Sequence, residues 1–103
     1  MALQTADIFC KVVDNFGDIG VSWRLARQLA HEHEYSVRLW VDHLPSFARV
    51  CSAANAQAES QIISAIEVRH WCMPFPEVIP ADIVIEMFGC AIPQSYVMAM
   101  AQQ

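Results

Sequence analysis

The sequence predicts an α/β fold built on a parallel sheet, and three observations carry that expectation. Short apolar runs rich in β-forming residues recur at 6–13, 36–42, 66–71 and 81–88. Between the first two lies a segment whose apolar residues fall on one helical face. A glycine-bearing turn joins that first run to that helix, the place where α/β proteins open a ligand crevice at the carboxyl ends of their strands. Strands alternating with helices pair in parallel through right-handed crossovers.

The first strand carries Ile8, Phe9, Val12 and Val13, the pattern of a strand covered on both faces. In the helix that follows, Ile19, Trp23, Ala26 and Ala30 form a stripe widened by Leu25 and Leu29, while Arg24, Arg27, Gln28 and His31 occupy the opposite side, over about four turns. Residues 36–42 form the second strand, with Val37, Leu39, Trp40 and Val41, and it ends at Asp42 before a turn through His43, Leu44 and Pro45. A short helix started by Pro45 and Ser46 is expected over 44–51, and a loop or weak helix over 52–60. A third strand is expected at 66–71, a proline-punctuated connection at 73–80 and a fourth strand at 81–88. The turn through 89–93 then leads into a helix, with Pro93 near its first position.

Composition limits what such a chain can be. With 55% hydrophobic and 17% charged residues in 103, it is globular and at most one domain. That apolar share is high for so short a chain, so some of it is expected to cover a partner surface. The segment 94–103 reads as a helix in mid-course without a glycine or proline stop, and the chain is therefore read as a fragment. A net charge of −5, with six scattered basic residues, argues against nucleic acid as a partner. Cys10, Cys51, Cys72 and Cys90 form no Cys-x-x-Cys pair and read as reduced thiols rather than zinc ligands or disulfides. Residues 1–7 lack the marks of a signal peptide, and no run approaches the roughly 18 apolar residues of a membrane span. A soluble, cytoplasmic protein is expected.

The stretch 14–24 draws the functional reading. A glycine turn into a helix suggests an anion site, because free N–H groups and the helix dipole favour negative charge there. Only Gly17 and Gly20 are present, however, and Asp14 and Asp18 would repel a phosphate set against them. A magnesium-dependent phosphoacceptor domain would need an aspartate ending the third strand, where Arg69, His70 and Trp71 stand instead. Asp18 taken alone reads as a helix N-cap. Asp14 is harder to dismiss, since a carboxylate straight after a buried strand, with another a turn away, is a costly way to make a turn. Together they look like a general base and its electrostatic helper.

Other residues read more plainly. His31, His33, His43 and His70 share no metal-ligand spacing, so no metal is expected. Trp23, Trp40 and Trp71 read as core. Glu86, inside an apolar strand, is either buried with a partner or near the crevice. Asp42, about twenty residues beyond the glycines, is placed like a ribose-binding acid, weakly so without a third glycine.

The runs 7–10, 12–29, 37–42 and 84–90, which include Asp14, Asn15, Phe16, Gly17, Asp18, Ile19 and Gly20 in succession, closely resemble the amino terminus of the bacterial protein-arginine rhamnosyltransferases that modify translation elongation factor P. The resemblance covers nearly the whole chain. It implies a Rossmann-like parallel sheet, here the first portion (1–103) of the amino-terminal, acceptor-side domain of a two-domain GT-B glycosyltransferase, without the carboxyl-terminal domain that holds most of the nucleotide-binding residues.

By the same resemblance, the activity is transfer of rhamnose from dTDP-β-L-rhamnose to an arginine guanidinium of elongation factor P, with inversion and without a metal or other cofactor. Asp18 would be the general base and Asp14 its supporting carboxylate, with Asn15, Phe16, Gly17 and Asp18 meeting the donor sugar. A guanidinium is cationic and a poor nucleophile, so a carboxylate must hold it and aim one nitrogen at the anomeric carbon. The 103 residues alone are expected to be inactive. The alternative is a non-catalytic Rossmann-like module that binds a nucleotide or docks a protein.

Overall fold

The computed structural model describes residues 4–12, 16–87 and 91–102, with the side chains of 16–18 outside that description. Among the described residues, five strands and three helices follow one another as β1 (Thr5–Cys10), α1 (Phe16–Glu32), β2 (Ser36–Val41), α2 (Leu44–Val50), β3 (Ser60–Ile63), β4 (Ile66–His70), β5 (Ile83–Glu86) and α3 (Gln94–Ala101). The strands form one sheet in the order β3-β4-β2-β1-β5. β1 pairs in parallel with both β2 and β5, and β2 pairs in parallel with β4. The expected α/β class and parallel core are therefore present.

β1 lies centrally, and residues 6–10 are all buried. Successive strand side chains point to opposite faces, so a central strand must be apolar on both. Ala6, Ile8 and Cys10 belong to a cluster with Val37, Leu39 and Val41 from β2, Ile19, Trp23 and Ala26 from α1, and Leu44 and Phe47 from α2. Phe9 faces a second cluster with Trp40, Trp71 and Tyr96, joined by Phe75 from the connection after β4. Phe9 and Trp40 stack with centroids 5.8 Å apart, and Tyr96 meets Phe9 edge-on at 4.9 Å. Each fully buried aromatic stabilises by about 1.5–3 kcal/mol, so these rings hold α3 and the 71–80 segment against the sheet. All three tryptophans are buried, as core residues.

The stripe read from the sequence is the face α1 buries: Ile19, Trp23 and Ala26 are buried, and Leu25, Leu29 and Ala30 pack partly beside them. Trp23 meets Phe47 of α2 edge-on at 5.1 Å. The helix runs 17 residues, longer than the four turns expected, because it begins at Phe16. Its far end closes where Glu34 takes a left-handed conformation (φ 60°) and the Tyr35 N–H donates to the Leu29 carbonyl at 3.0 Å. α2 opens with Pro45 in its first turn, as expected.

The sheet is mixed, which corrects the all-parallel expectation. β3 pairs antiparallel with β4, so part of the region read as loop enters a hairpin. Ser64 and Ala65 form its two-residue turn, both at positive φ (53° and 66°). Two-residue hairpin turns usually signal themselves by asparagine or glycine at such positions. Here neither residue type is present, and the hairpin is silent in the sequence. The remaining strands are shorter than expected: β1 stops at Cys10, β4 at His70, and β5 runs only from Ile83 to Glu86.

Candidate ligand crevice at the carboxyl ends of β1 and β5

From β1 the chain moves outward to β2 and β4, then returns to place β5 on the other side of β1. Connections leaving two neighbouring strands in opposite directions leave a crevice at their carboxyl ends, the usual ligand position of open α/β sheets. The segments that leave these two strand ends are 11–15 and 87–93. The candidate residues thus belong to the connection that topology assigns to the crevice.

Asp14 and Asn15 lie outside the described residues. Phe16, Gly17 and Asp18 are the first three residues of α1, with their side chains outside the description. Asp18 is therefore inside the first helical turn, which corrects the N-cap reading. A carboxylate there still complements the positive end of the helix dipole. Gly17 and Gly20 are helical as well, so the glycine loop of a phosphate cradle is not formed by them. A Cβ built on Gly20 meets no atom within 4 Å.

Asp42 follows the end of β2, and its carboxylate Oδ1 accepts the Val12 N–H at 2.7 Å. One oxygen of the carboxylate is thus engaged by the chain leaving β1, a contact that the ribose-binding reading of Asp42 did not anticipate. The Asp42 carbonyl lies 3.2 Å from His70 Nε2, and the Trp71 N–H donates to the Val41 carbonyl at 2.8 Å. The ends of β1, β2 and β4 are thereby laced together beside the crevice. Glu86 ends β5, in register with Phe9, and is exposed at the crevice side of the strand. The question the sequence left open at Glu86 is decided for the crevice.

The histidines are dispersed. His31 reaches the Ser64 carbonyl at 2.8 Å, tying α1 to the hairpin, and His43 Nδ1 pairs with Ser46 Oγ at 2.7 Å. Lys11 leaves β1 with its ammonium 5.3 Å from the centre of the Trp71 ring.

One polar cluster escaped the sequence reading. Asp7, fully buried in β1, accepts from Arg38 Nε and a guanidinium nitrogen at 2.6 Å each, from Trp40 Nε1 at 3.1 Å and from the Tyr96 hydroxyl at 2.5 Å. Arg38 also donates to the Ile79 carbonyl at 2.8 Å, and the Tyr96 oxygen accepts the Ala81 N–H at 3.1 Å. A buried carboxylate is tolerable only when paired and hydrogen-bonded, and this one is both. Burial, followed by the hydrogen bond to Asp7, raises the Tyr96 hydroxyl well above the usual tyrosine range. Burial opposes the Arg38 cation most strongly, but the hydrogen bond and charge of Asp7 together outweigh it and keep the guanidinium more firmly protonated. The signal was a lone aspartate in an apolar strand, with an arginine at the matching place of the next strand; Asp7 and Arg38 are register partners.

A mostly parallel sheet packed on both faces, with its strand order reversing beside β1, is an α/β arrangement consistent with a Rossmann-like domain. A family model described as Elongation-Factor P (EF-P) rhamnosyltransferase EarP matches residues 6–103, and the chain belongs to this EarP family. Relatives named protein-arginine rhamnosyltransferase are 54% identical over 97 residues in Pseudomonas aeruginosa, 55% over 96 in Pseudomonas putida and 42% over 96 in Shewanella oneidensis. These matches cover 94%, 93% and 92% of this chain. The chain spans about a quarter of the length of those relatives (26%, 26% and 24%). Among the described residues, no helix is long and apolar enough to cross a membrane.

Proposed function

We propose that this chain forms the first part of the acceptor-side domain of a GT-B enzyme that transfers rhamnose from dTDP-β-L-rhamnose to an arginine of translation elongation factor P. The family match over residues 6–103 carries this reading. In it, the carboxylates of Asp14 and Asp18 hold the cationic guanidinium, and Asn15, Phe16, Gly17 and Asp18 face the donor sugar. Asp18 takes one N–H proton as the nitrogen lone pair forms its bond to the anomeric carbon. The bond from that carbon to the diphosphate oxygen breaks, and its electron pair leaves with dTDP. Attack opposite the leaving group inverts the anomeric centre. The carboxylates also favour the positive charge that develops on the sugar. No metal is required by this scheme, and the working compartment is the cytoplasm, where the elongation factor acts.

The test is a chimera in which residues 6–103 of this chain replace the matched segment of the Pseudomonas putida relative. Loss of a positioned base lowers such rates by roughly a hundredfold to ten-thousandfold. Asp18→Asn in the chimera is expected to lose transfer on that scale, read by mass spectrometry of the elongation factor, with an unchanged melting temperature. Transfer within a few-fold of the parent chimera would sink the role of Asp18. Failure of the parent chimera to modify the elongation factor, while folded and binding dTDP-rhamnose by calorimetry, would sink the activity itself.

A further inference from the structure

We infer that Asp42 is a positioning residue for the acidic connection, fixing its upstream end at Val12 against the ends of β2 and β4. This rests on the catalytic reading of Asp14 and Asp18. Val12 is buried and lies two residues beyond the end of β1, so no sheet ladder holds its N–H. The Asp42 carboxylate takes that donor at 2.7 Å, closer than an ordinary amide hydrogen bond. Asp42 is fixed in turn, because it directly follows β2 and its carbonyl is met by His70 Nε2 at 3.2 Å. The adjoining Val41 carbonyl accepts from Trp71, which itself packs on Phe9 of β1 with centroids 5.3 Å apart.

The clamp therefore reaches from β4 through Asp42 to the last described residue before Asp14. One residue, Val13, separates Val12 from Asp14, and α1 begins at Phe16, held to the sheet by the buried Ile19 and Trp23. Removing the Asp42 acceptor frees the upstream end only, and leaves the Val12 N–H without a partner in a buried place. A displacement on the order of 1 Å at a reacting group can lower a rate by roughly a hundredfold, so the expected effect falls on turnover rather than donor binding.

The experiment uses the same chimera. Asp42→Ala is expected to lower kcat about tenfold to a hundredfold, with the KM for dTDP-rhamnose within twofold of the parent. Asp42→Asn keeps an oxygen acceptor without the charge and is expected to restore most of kcat. Hydrogen-exchange mass spectrometry of the peptide containing Val12 should show faster exchange in Asp42→Ala than in Asp42→Asn. A kcat within twofold of the parent in Asp42→Ala would overturn the inference, as would an Asp42→Asn variant as impaired as Asp42→Ala, which would make the charge the cause. If the parent chimera transfers no rhamnose, the catalytic reading fails and this role fails with it; unequal exchange in the two variants would then leave a purely structural clamp.

Discussion

Gly20 is a helical residue with empty space where a side chain would start. A glycine in a helix costs about 1 kcal/mol relative to alanine, and no neighbour within the described residues demands its absence of a side chain. Gly20→Ala is expected to stabilise the chain by about 0.5–1 kcal/mol, read as a higher urea midpoint with an unchanged slope. A lower midpoint would mean that this position is packed in a way the structure does not contain. Asp18, two residues earlier, is the opposite kind of residue under the proposed function: changing it is then expected to act on transfer, with a small stability effect, since a charge near the helix start contributes about 0.3–1 kcal/mol. Comparing the two substitutions separates helix energetics from catalysis within a single turn of α1.

At the scale of an element, Tyr96 ties α3 to the sheet through both its hydroxyl and its ring, with Met100 packed beside it. Tyr96 donates to the buried Asp7, accepts from Ala81 and meets Phe9 edge-on. Tyr96→Phe keeps the ring but leaves the Ala81 N–H without its acceptor and Asp7 with one donor fewer. The expected loss is about 1–3 kcal/mol, measured by urea unfolding, with α3 amides exchanging fastest. The β3–β4 hairpin offers a test of the opposite sign. Ala65 sits at φ 66°, a conformation that costs a residue with a Cβ about 1 kcal/mol. Ala65→Gly is expected to recover up to about that amount, read as a higher melting temperature. A fall instead would show that ordering a glycine in the turn outweighs the relief of strain.

For the whole molecule, pH couples the buried network to stability. The folded hydroxyl of Tyr96 is raised above the tyrosine value of about 10 found in unfolded chains. Its contribution is thus fully present below about pH 10 and is lost as pH rises from there through the folded value, because only the unfolded chain then releases the proton readily. The urea midpoint is expected to fall more steeply above about pH 10 in the parent than in Tyr96→Phe. Identical slopes would remove Tyr96 from the alkaline response.

How much of this was legible in the residues differs between fold and site. Local pattern sufficed for β1, α1, β2 and α2, since burial on one helical stripe or on both strand faces is written in apolar spacing. The acidic run through Asp14 and Asp18 was also visible, and Asp18 falls in the first turn of the helix expected after β1. The hairpin was not, because Ser64 and Ala65 adopt left-handed conformations that their chemistry does not advertise. Nor could the sequence place the start of α1 ahead of Asp18, or tell a ribose-binding Asp42 from one clamping Val12. Asp7 passed unremarked because its partners come from β2 and α3, the farthest 89 residues along the chain. The sequence by itself determined the family, the α/β class and the acidic connection, all properties of neighbours in the chain. Only the tertiary structure decided the mixed sheet, the switch of strand order beside that connection, and the partners of Asp7 and Asp42, because pairing between distant segments depends on which buried groups meet, and spacing along a chain does not record that.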